Sequence, residues 1–343
     1  MLRLFGHANY DFIGARRYAY GITAAILIPG LVLLLLWGLN YSIEFTGGTL
    51  VQVQSNKTVN VADLRTGLDR EGIHGAEIQN FGAPNEYVIR ARVAKPGSDA
   101  NDTQVTAEAV RKGLDNVVGT GEYKVVRTEA VGPKVGGELR QKAFLAIFLS
   151  FFAVLAYLAY RFEWRFGLAA VIATAHDILA TIAFIAALRL EVSLTVVAAL
   201  LSMVGYSLND TIIIFDRVRE NLHRYKHDSF EQILNRSVNE TLPRSVLTHG
   251  TTMATLLALT IFGGEVIRPF ALVMFFGVFT GTFSSIYIAS PVLMAIQKRW
   301  PGAIARGHFQ TKPAPTSVRK AQPVGTGGAA TEALGRVKGS RGR

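Results

Sequence analysis

Cysteine is absent from the 343 residues, which excludes a disulfide framework, a thiol nucleophile and a Cys-based metal site. Charge is scarce as well. Asp, Glu, Lys and Arg make up 18% of the chain against 50% hydrophobic residues, and the mean hydropathy is positive, too apolar for an ordinary soluble protein. The charge present has one dominant sign, a formal +11. From Lys298 onward ten Lys or Arg residues stand against one acid, Glu332. The excess is therefore a tail and not a binding face, and no specific nucleic acid is expected as a partner. Also missing are a Walker loop, a dinucleotide fingerprint and the His–Glu spacing of a zinc enzyme. The chain is accordingly expected to be neither an enzyme nor the holder of a cofactor, and any energy it uses must come from outside it.

What is present is a set of long apolar runs. Six of them have the length needed to cross a bilayer: residues 18–39, 142–160, 166–188, 192–215, 242–262 and 267–296. The first follows Arg16–Arg17 and ends without a small-residue cleavage site, so it reads as an uncleaved span and not a signal peptide. Lys and Arg in short loops set orientation. Arg3, Arg16 and Arg17 precede the first span, and Arg161 and Arg165 lie between the second and third. Arg217, Arg219, Arg224, Lys226 and Arg236 follow the fourth, and the tail is basic. The intervening turns carry only Arg189 beside Glu191 and Arg268 beside Glu265. Both termini are thus expected in the cytoplasm, at residues 1–17 and 297–343, with a cytoplasmic loop at 216–241.

One connection is far longer than the rest. Residues 40–141 fall on the extracytoplasmic side and are enough for a domain. Apolar alternation and turn residues predict strands over 48–54, 76–81, 86–93 and 122–128 and helices over 61–71 and 103–118. That order, β-α-β-β-α-β, is the ferredoxin-like arrangement. Paired glycines sit at both junctions with the membrane, Gly47–Gly48 and Gly136–Gly137. They read equally as hinges or as plain tight turns, since glycine takes backbone angles other residues avoid. In the 216–241 loop, Phe230, Ile233, Leu234 and Val238 form an amphipathic helical pattern that lies on the membrane surface or packs on helix ends. The tail from Gly302 has the composition of a disordered segment. Ribosomal RNA or anionic lipid suits its charge, and so does a plain solvated extension.

Few polar residues enter the membrane, which makes those that do informative. A carboxylate in a span costs about 2.5–3.5 kcal/mol of insertion free energy and marks a functional site by default. In the fourth span Ser202, Tyr206 and Asp210 share one helical face, and Asn209 lies beside them. Asp210 stands six residues before Asp216, about 9 Å inside the charged boundary. The fifth span is expected to begin with Thr241 as cap and Pro243 in its first turn. That start puts Arg244 at a depth similar to Asp210. Thr248, Thr251 and Thr255 continue from Arg244 as a hydroxyl stripe, with His249 and Thr252 beside it. Low dielectric favours a neutral carboxyl and a nearby guanidinium favours the charged one, so a changing Arg–Asp separation would couple shape to protonation. The competing reading is a static ion pair that fixes packing, with the hydroxyls bonded to their own helix. His176–Asp177 in the third span either joins this polar network or forms a packing pair. In the sixth span Gly277, Gly281, Ser285 and Ala289 recur every four residues, the small-residue spacing of close helix contact.

Several motifs in order carry a resemblance. They are Phe45-Thr-Gly-Gly, Gly205-Tyr-Ser-Leu-Asn-Asp-Thr, Phe215-Asp-Arg-Val-Arg-Glu-Asn, Thr241-Leu-Pro-Arg-Ser through Gly250-Thr-Thr, Phe262-Gly-Gly and Gly281-Thr-Phe-Ser-Ser-Ile-Tyr-Ile-Ala-Ser. Over about residues 18–297 the chain resembles the SecF branch of the SecD/SecF family of bacterial protein-export subunits, within the resistance–nodulation–division superfamily. The resemblance implies a six-span helical membrane protein of the inner membrane with a ferredoxin-like outer domain. It implies SecD, the SecYEG channel, the translocating preprotein and membrane lipids as partners, and the proton as coupling ion. The family's intramembrane aspartate falls on Asp210 and its arginine on Arg244. Two other readings stay open: a self-contained exporter of small molecules or lipids, and a passive scaffold of a membrane complex.

Overall fold

The computed structural model describes residues 9–91, 101–303 and 305–309. Residues 1–8, the last two of the strand expected over 86–93, and the basic tail beyond 309 lie outside the described residues. In chain order the elements are α1 (Arg16–Trp37), β1 (Asn40–Tyr41), α2 (Ile43–Thr46), β2 (Gly48–Ser55) and α3 (Val61–Arg70). Then come β3 (Glu77–Phe81), β4 (Ala83–Ala91), α4 (Asn101–Val117), β5 (Tyr123–Val131), α5 (Pro133–Arg161), α6 (Trp164–Ala187) and β6 (Glu191–Val192). The chain continues through α7 (Leu194–Arg224), α8 (Phe230–Phe262) and α9 (Gly264–Ser284) into a π-turn (Ser285–Ala289), α10 (Ser290–Arg299) and a 3-10 turn (Ala305–Phe309). Six helices, the last made of α9, the π-turn and α10, are long and apolar enough to cross a membrane, and the chain is a multi-pass membrane protein.

The segment between α1 and α5 folds as a four-stranded antiparallel sheet in the order β3-β4-β2-β5. Helices α3 and α4 pack side by side on it, closing a core of Val51, Val53 and Ile89 from the strands with Leu64, Leu68, Val110 and Leu114 from the helices. The turn expected over Gly82–Pro84 is tighter than its composition suggests. Gly82 alone makes it, at φ +75°, and Pro84 already belongs to β4.

The fourth and fifth helices differ most from expectation. There is no separate surface helix in 216–241 and no new start at Thr241. Helix α7 runs on to Arg224, and α8 begins at a capping box in which Ser229 and Gln232 satisfy each other's backbone N–H groups. The Thr241 hydroxyl instead donates to the Ser237 carbonyl, and Pro243 sits inside the helix. Packing explains the extension. Phe230, Ile233, Leu234 and Val238 are buried with Phe215, Val218 and Leu222 of α7 and with Leu293 and Ile296 of α10, so the first turns of α8 bear on the neighbouring helix ends. At 33 residues α8 is about 50 Å long, against about 30 Å of hydrocarbon core. The ordered chain also reaches past α10 into the segment assigned to a disordered tail: Phe309 stacks on Phe230 at 4.9 Å, and His308 lies between the carbonyls of Leu222 and Asp228.

The junction glycines do different jobs. Gly47 (φ +74°) and Gly48 (φ +137°) occupy backbone regions that side chains disfavour. Gly136 and Gly137 fall inside the first turns of α5 and form no loop, so the plain tight-turn reading fails for that pair. Gly136 is needed for space instead: a Cβ there would lie 2.9 Å from the Gly47 nitrogen, and one at Gly137 would meet nothing.

The sheet domain is also tied to the α6–α7 turn. β1 pairs in parallel with β6, Arg189 donates to the Trp37 and Gly38 carbonyls at the end of α1, and Glu44 accepts from the Leu194 N–H at the start of α7. Arg90 of β4 reaches Glu191 of β6 as an ion pair, with Glu77 3.7 Å from the same guanidinium. Burial pushes the Glu191 carboxyl above its ordinary 4.5, and the Arg90 charge and hydrogen bond oppose this only in part. A raised pKa means folding draws a proton onto Glu191. The buried carboxylate therefore costs stability above that window, and the cost is relieved as pH falls. Relative to Glu191→Gln, the full chain in detergent is expected to gain melting temperature as pH drops from neutrality towards 4.5. Identical pH slopes for the two proteins would refute the linkage.

Candidate functional site

The polar residues of the membrane layer gather into two groups, both reached through α7. This helix starts at Ser193, whose hydroxyl accepts from the Val196 N–H, and it buries Val196, Leu200, Met203 and Val204 before its polar stretch. In the first group α7 meets α8. The Asp210 side chain is 1% exposed, and its Oδ1 accepts a hydrogen bond of 2.5 Å from the Ser245 hydroxyl. Its Oδ2 is buried with no hydrogen-bond partner among the described residues, and the same holds for Nδ1 of His249, one turn beyond Ser245. One turn earlier on α7, the Tyr206 ring stands edge-on to His249 at 5.4 Å. The Tyr206 hydroxyl shares a 2.6 Å bond with that of Thr252 and lies 3.3 Å from the Thr248 carbonyl.

Arg244 does not form an ion pair with Asp210. It is exposed, and no hydrogen bond or ion pair joins it to the carboxylate. The row of α8 that faces α7 is Ser245, His249 and Thr252, one residue and about 100° of rotation from the row Arg244, Thr248, Thr251, Thr255. The Thr251, Thr252 and Thr255 hydroxyls bond back to carbonyls of their own helix. Thr248 contributes its carbonyl alone to the contact with Tyr206. Asn209 faces outward. Ser245 and His249 were readable as neighbours of the stripe, but their priority depends on the rotation of α8. A helix start at Ser229 and not at Thr241 leaves that rotation to be fixed by packing of the first turns.

The second group surrounds Asp177 of α6, which is fully buried. Its Oδ1 lies 3.0 Å from His176 Nδ1, and its Oδ2 accepts from Ser207 of α7 at 2.5 Å and from Ser284 of α9 at 2.7 Å. The Thr211 and Ser285 hydroxyls make a further bond of 2.8 Å, between α7 and the π-turn that follows α9. Among the described residues no hydrogen bond links this cluster to Asp210. His176–Asp177 therefore ties α6, α7 and α9 together beside the first group. Sequence reasoning missed Ser207 and Ser284, whose only signal was a hydroxyl on a small-residue face. Gly277 and Gly281 of that face let α9 lie against Met203 and Ser207, so the close contact is made within this chain.

The matches to known proteins agree with this architecture. The model of the protein export membrane protein SecD/SecF C-terminal family matches residues 110–299, and that of the SecD/SecF GG motif matches 38–59, which includes Gly47–Gly48. The chain belongs to the SecD/SecF family. Protein translocase subunit SecF of Gemmatimonas aurantiaca is 54% identical over 309 residues, 88% of this chain and 91% of that protein. SecF of Escherichia coli O157:H7 is 36% identical, covering 85% and 89%. Among solved structures, SecDF from Thermus thermophilus, titled a translocon-associated membrane protein, superposes with a TM-score of 0.75 at 36% identity. The match covers 87% of this chain and 40% of that one, so this chain spans about two fifths of SecDF. A SecDF structure in a super-membrane-facing form gives 0.61, over 85% and 39%. The SecD/SecF chain described here is thus a membrane subunit of protein export.

Proposed function

We propose that this chain works with a SecD subunit beside the SecYEG channel, taking up protons at Asp210 to assist late movement of a preprotein across the bacterial inner membrane. One observation carries the reading. Asp210 is buried at membrane depth with one oxygen bonded to Ser245 and the other unpartnered, between two helices that bring Arg244 and His249 into Coulombic reach. A proton on the free oxygen cancels the charge that Arg244 and His249 feel, which changes the force between α7 and α8. Helix α7 conducts that change to its far end, where Leu194 is held by Glu44 and the adjoining turn by Arg90. The sheet domain, ferredoxin-like in its strand order and extracytoplasmic, is the part so moved. The chain is no enzyme in this scheme and holds no cofactor; the proton is the coupling ion.

Orientation is supported by the Arg-rich ends of α5, α6 and α7 on the side where α1 begins and α10 ends, which the positive-inside tendency places in the cytoplasm. A membrane partner is supported by Ser202, Asn209 and Thr248, which face outward from α7 and α8. Polar groups at that depth need protein and not lipid against them, and SecDF unites such a chain with a second half. The test is preprotein translocation into energised inverted vesicles depleted of the endogenous subunit. Adding this chain with SecD is expected to restore a component that an uncoupler abolishes. Restoration that is indifferent to the uncoupler favours the passive scaffold. Restoration without SecD overturns the partnership.

A further inference from the structure

An apolar crevice lies on the side of the bundle away from Asp210, where α5 stands off from α6 and α7. Its upper part is a cavity of about 80 Å³ walled by Tyr41, Ile147, Ile182 and Leu200, with Arg140 at its rim. A smaller cavity of about 20 Å³ shares Ile147, Ile182 and Leu200 and continues down to Val204. The two form one groove. Along α5 it runs from Arg140 to Phe151, about 16 Å at 1.5 Å per residue. That is about half of the ~30 Å hydrocarbon core, the depth of one leaflet.

The rim carries the second observation. Arg140 is exposed and has no hydrogen-bond or ion-pair partner among the described residues. It lies two residues before the apolar run of α5 at 142–160, at the level of the lipid headgroups. A guanidinium is built to hold a phosphate through two parallel N–H bonds. The walls below it are almost wholly aliphatic and aromatic. We infer that the groove binds one phospholipid of the leaflet on the sheet-domain side, its phosphate on Arg140 and one acyl chain laid between α5, α6 and α7.

Such a lipid would fill the gap behind α5 and so support the helix that leads into the sheet domain. The test uses the full chain reconstituted into phosphatidylglycerol vesicles, re-extracted in detergent and weighed by native mass spectrometry. Wild type is expected to retain one phosphatidylglycerol molecule. Arg140→Gln, an exposed substitution that leaves the fold intact, should lower the retained fraction at least five-fold, and Arg140→Lys should recover part of it. Leu200→Trp, which fills the crevice and keeps the guanidinium, should lower it as well. Equal retention in wild type and Arg140→Gln, or a wild type that carries no lipid, overturns the inference. So does a co-purified protein in the lipid's place.

Discussion

Asp210→Asn is expected to remove the uncoupler-sensitive part of preprotein translocation, a fall of at least ten-fold in that increment, while the subunit accumulates to its normal level. Asn has the size of Asp, and its carbonyl oxygen still accepts the Ser245 hydroxyl that holds Oδ1. Packing between α7 and α8 therefore survives the change. What disappears is a group that can gain and lose a proton at the unpartnered oxygen. Arg244→Ala should act more weakly, because Arg244 touches nothing at the site and works only through its charge. Ser245→Ala should fall between the two, since it leaves both carboxylate oxygens without a donor in a buried place. The readout is translocation into energised vesicles with and without uncoupler. A full increment with Asp210→Asn would end the proton-site reading and leave the scaffold standing.

Gly281→Leu is expected to produce the largest loss of stability of any single change considered. Even the first carbon of a side chain at this position would lie 2.8 Å from Ser207 Cβ and 3.2 Å from Ser207 Cα. A backbone atom cannot rotate out of the way, so α9 must retreat from α7. Overpacking of this kind costs about 1–3 kcal/mol. Here the retreat also separates Ser207 and Ser284, which together satisfy one oxygen of Asp177; each hydrogen bond so lost is worth about 0.5–1.5 kcal/mol. Gly277→Ala is a control on the same helix face. Its added carbon would lie 2.2 Å from Met203 Cγ and 3.1 Å from its Cβ; Cγ can swing aside by a rotamer change, so only the looser Cβ contact has to be absorbed by the backbone. Melting in detergent should therefore rank wild type, Gly277→Ala, Gly281→Ala and Gly281→Leu in falling order. Equal losses for the two alanine variants would show that Ser207 is not the obstacle.

The spans were legible because hydrocarbon imposes a length and a composition on any helix that crosses it, and the strand order followed from alternation and well-placed turn residues. Asp210 was legible for the same reason that made it costly. Helix phase was not. Whether Arg244 or Ser245 meets Asp210 depends on how α8 rotates, and that is set by Phe230, Ile233 and Leu234 packing on other helix ends, contacts with no local signature. The Ser229–Gln232 capping box is a pattern that sequence does carry, but Thr241 and Pro243 offer a competing start signal twelve residues on, and only packing decides between them. The Asp177 cluster had the opposite difficulty. Its acceptor was visible, but its donors come from two other helices and become partners only once Gly281 has brought α9 close. Arg90–Glu191 likewise joins residues a hundred positions apart, and only the folded sheet brings them together.

The contact of Gly136 with Gly47 limits how the sheet domain can move. The chain passes from the membrane into that domain twice, after α1 and before α5, and the two passages touch backbone to backbone at one point. Two separated attachments would let the domain tilt, twist and slide independently. A shared bearing point keeps the two passages from sliding past each other, and the β1–β6 pairing and the Glu44–Leu194 and Arg90–Glu191 contacts hold the domain to the α6–α7 turn as well. A displacement of α5 against α1 is therefore passed to the sheet domain by direct backbone contact and not through a slack linker.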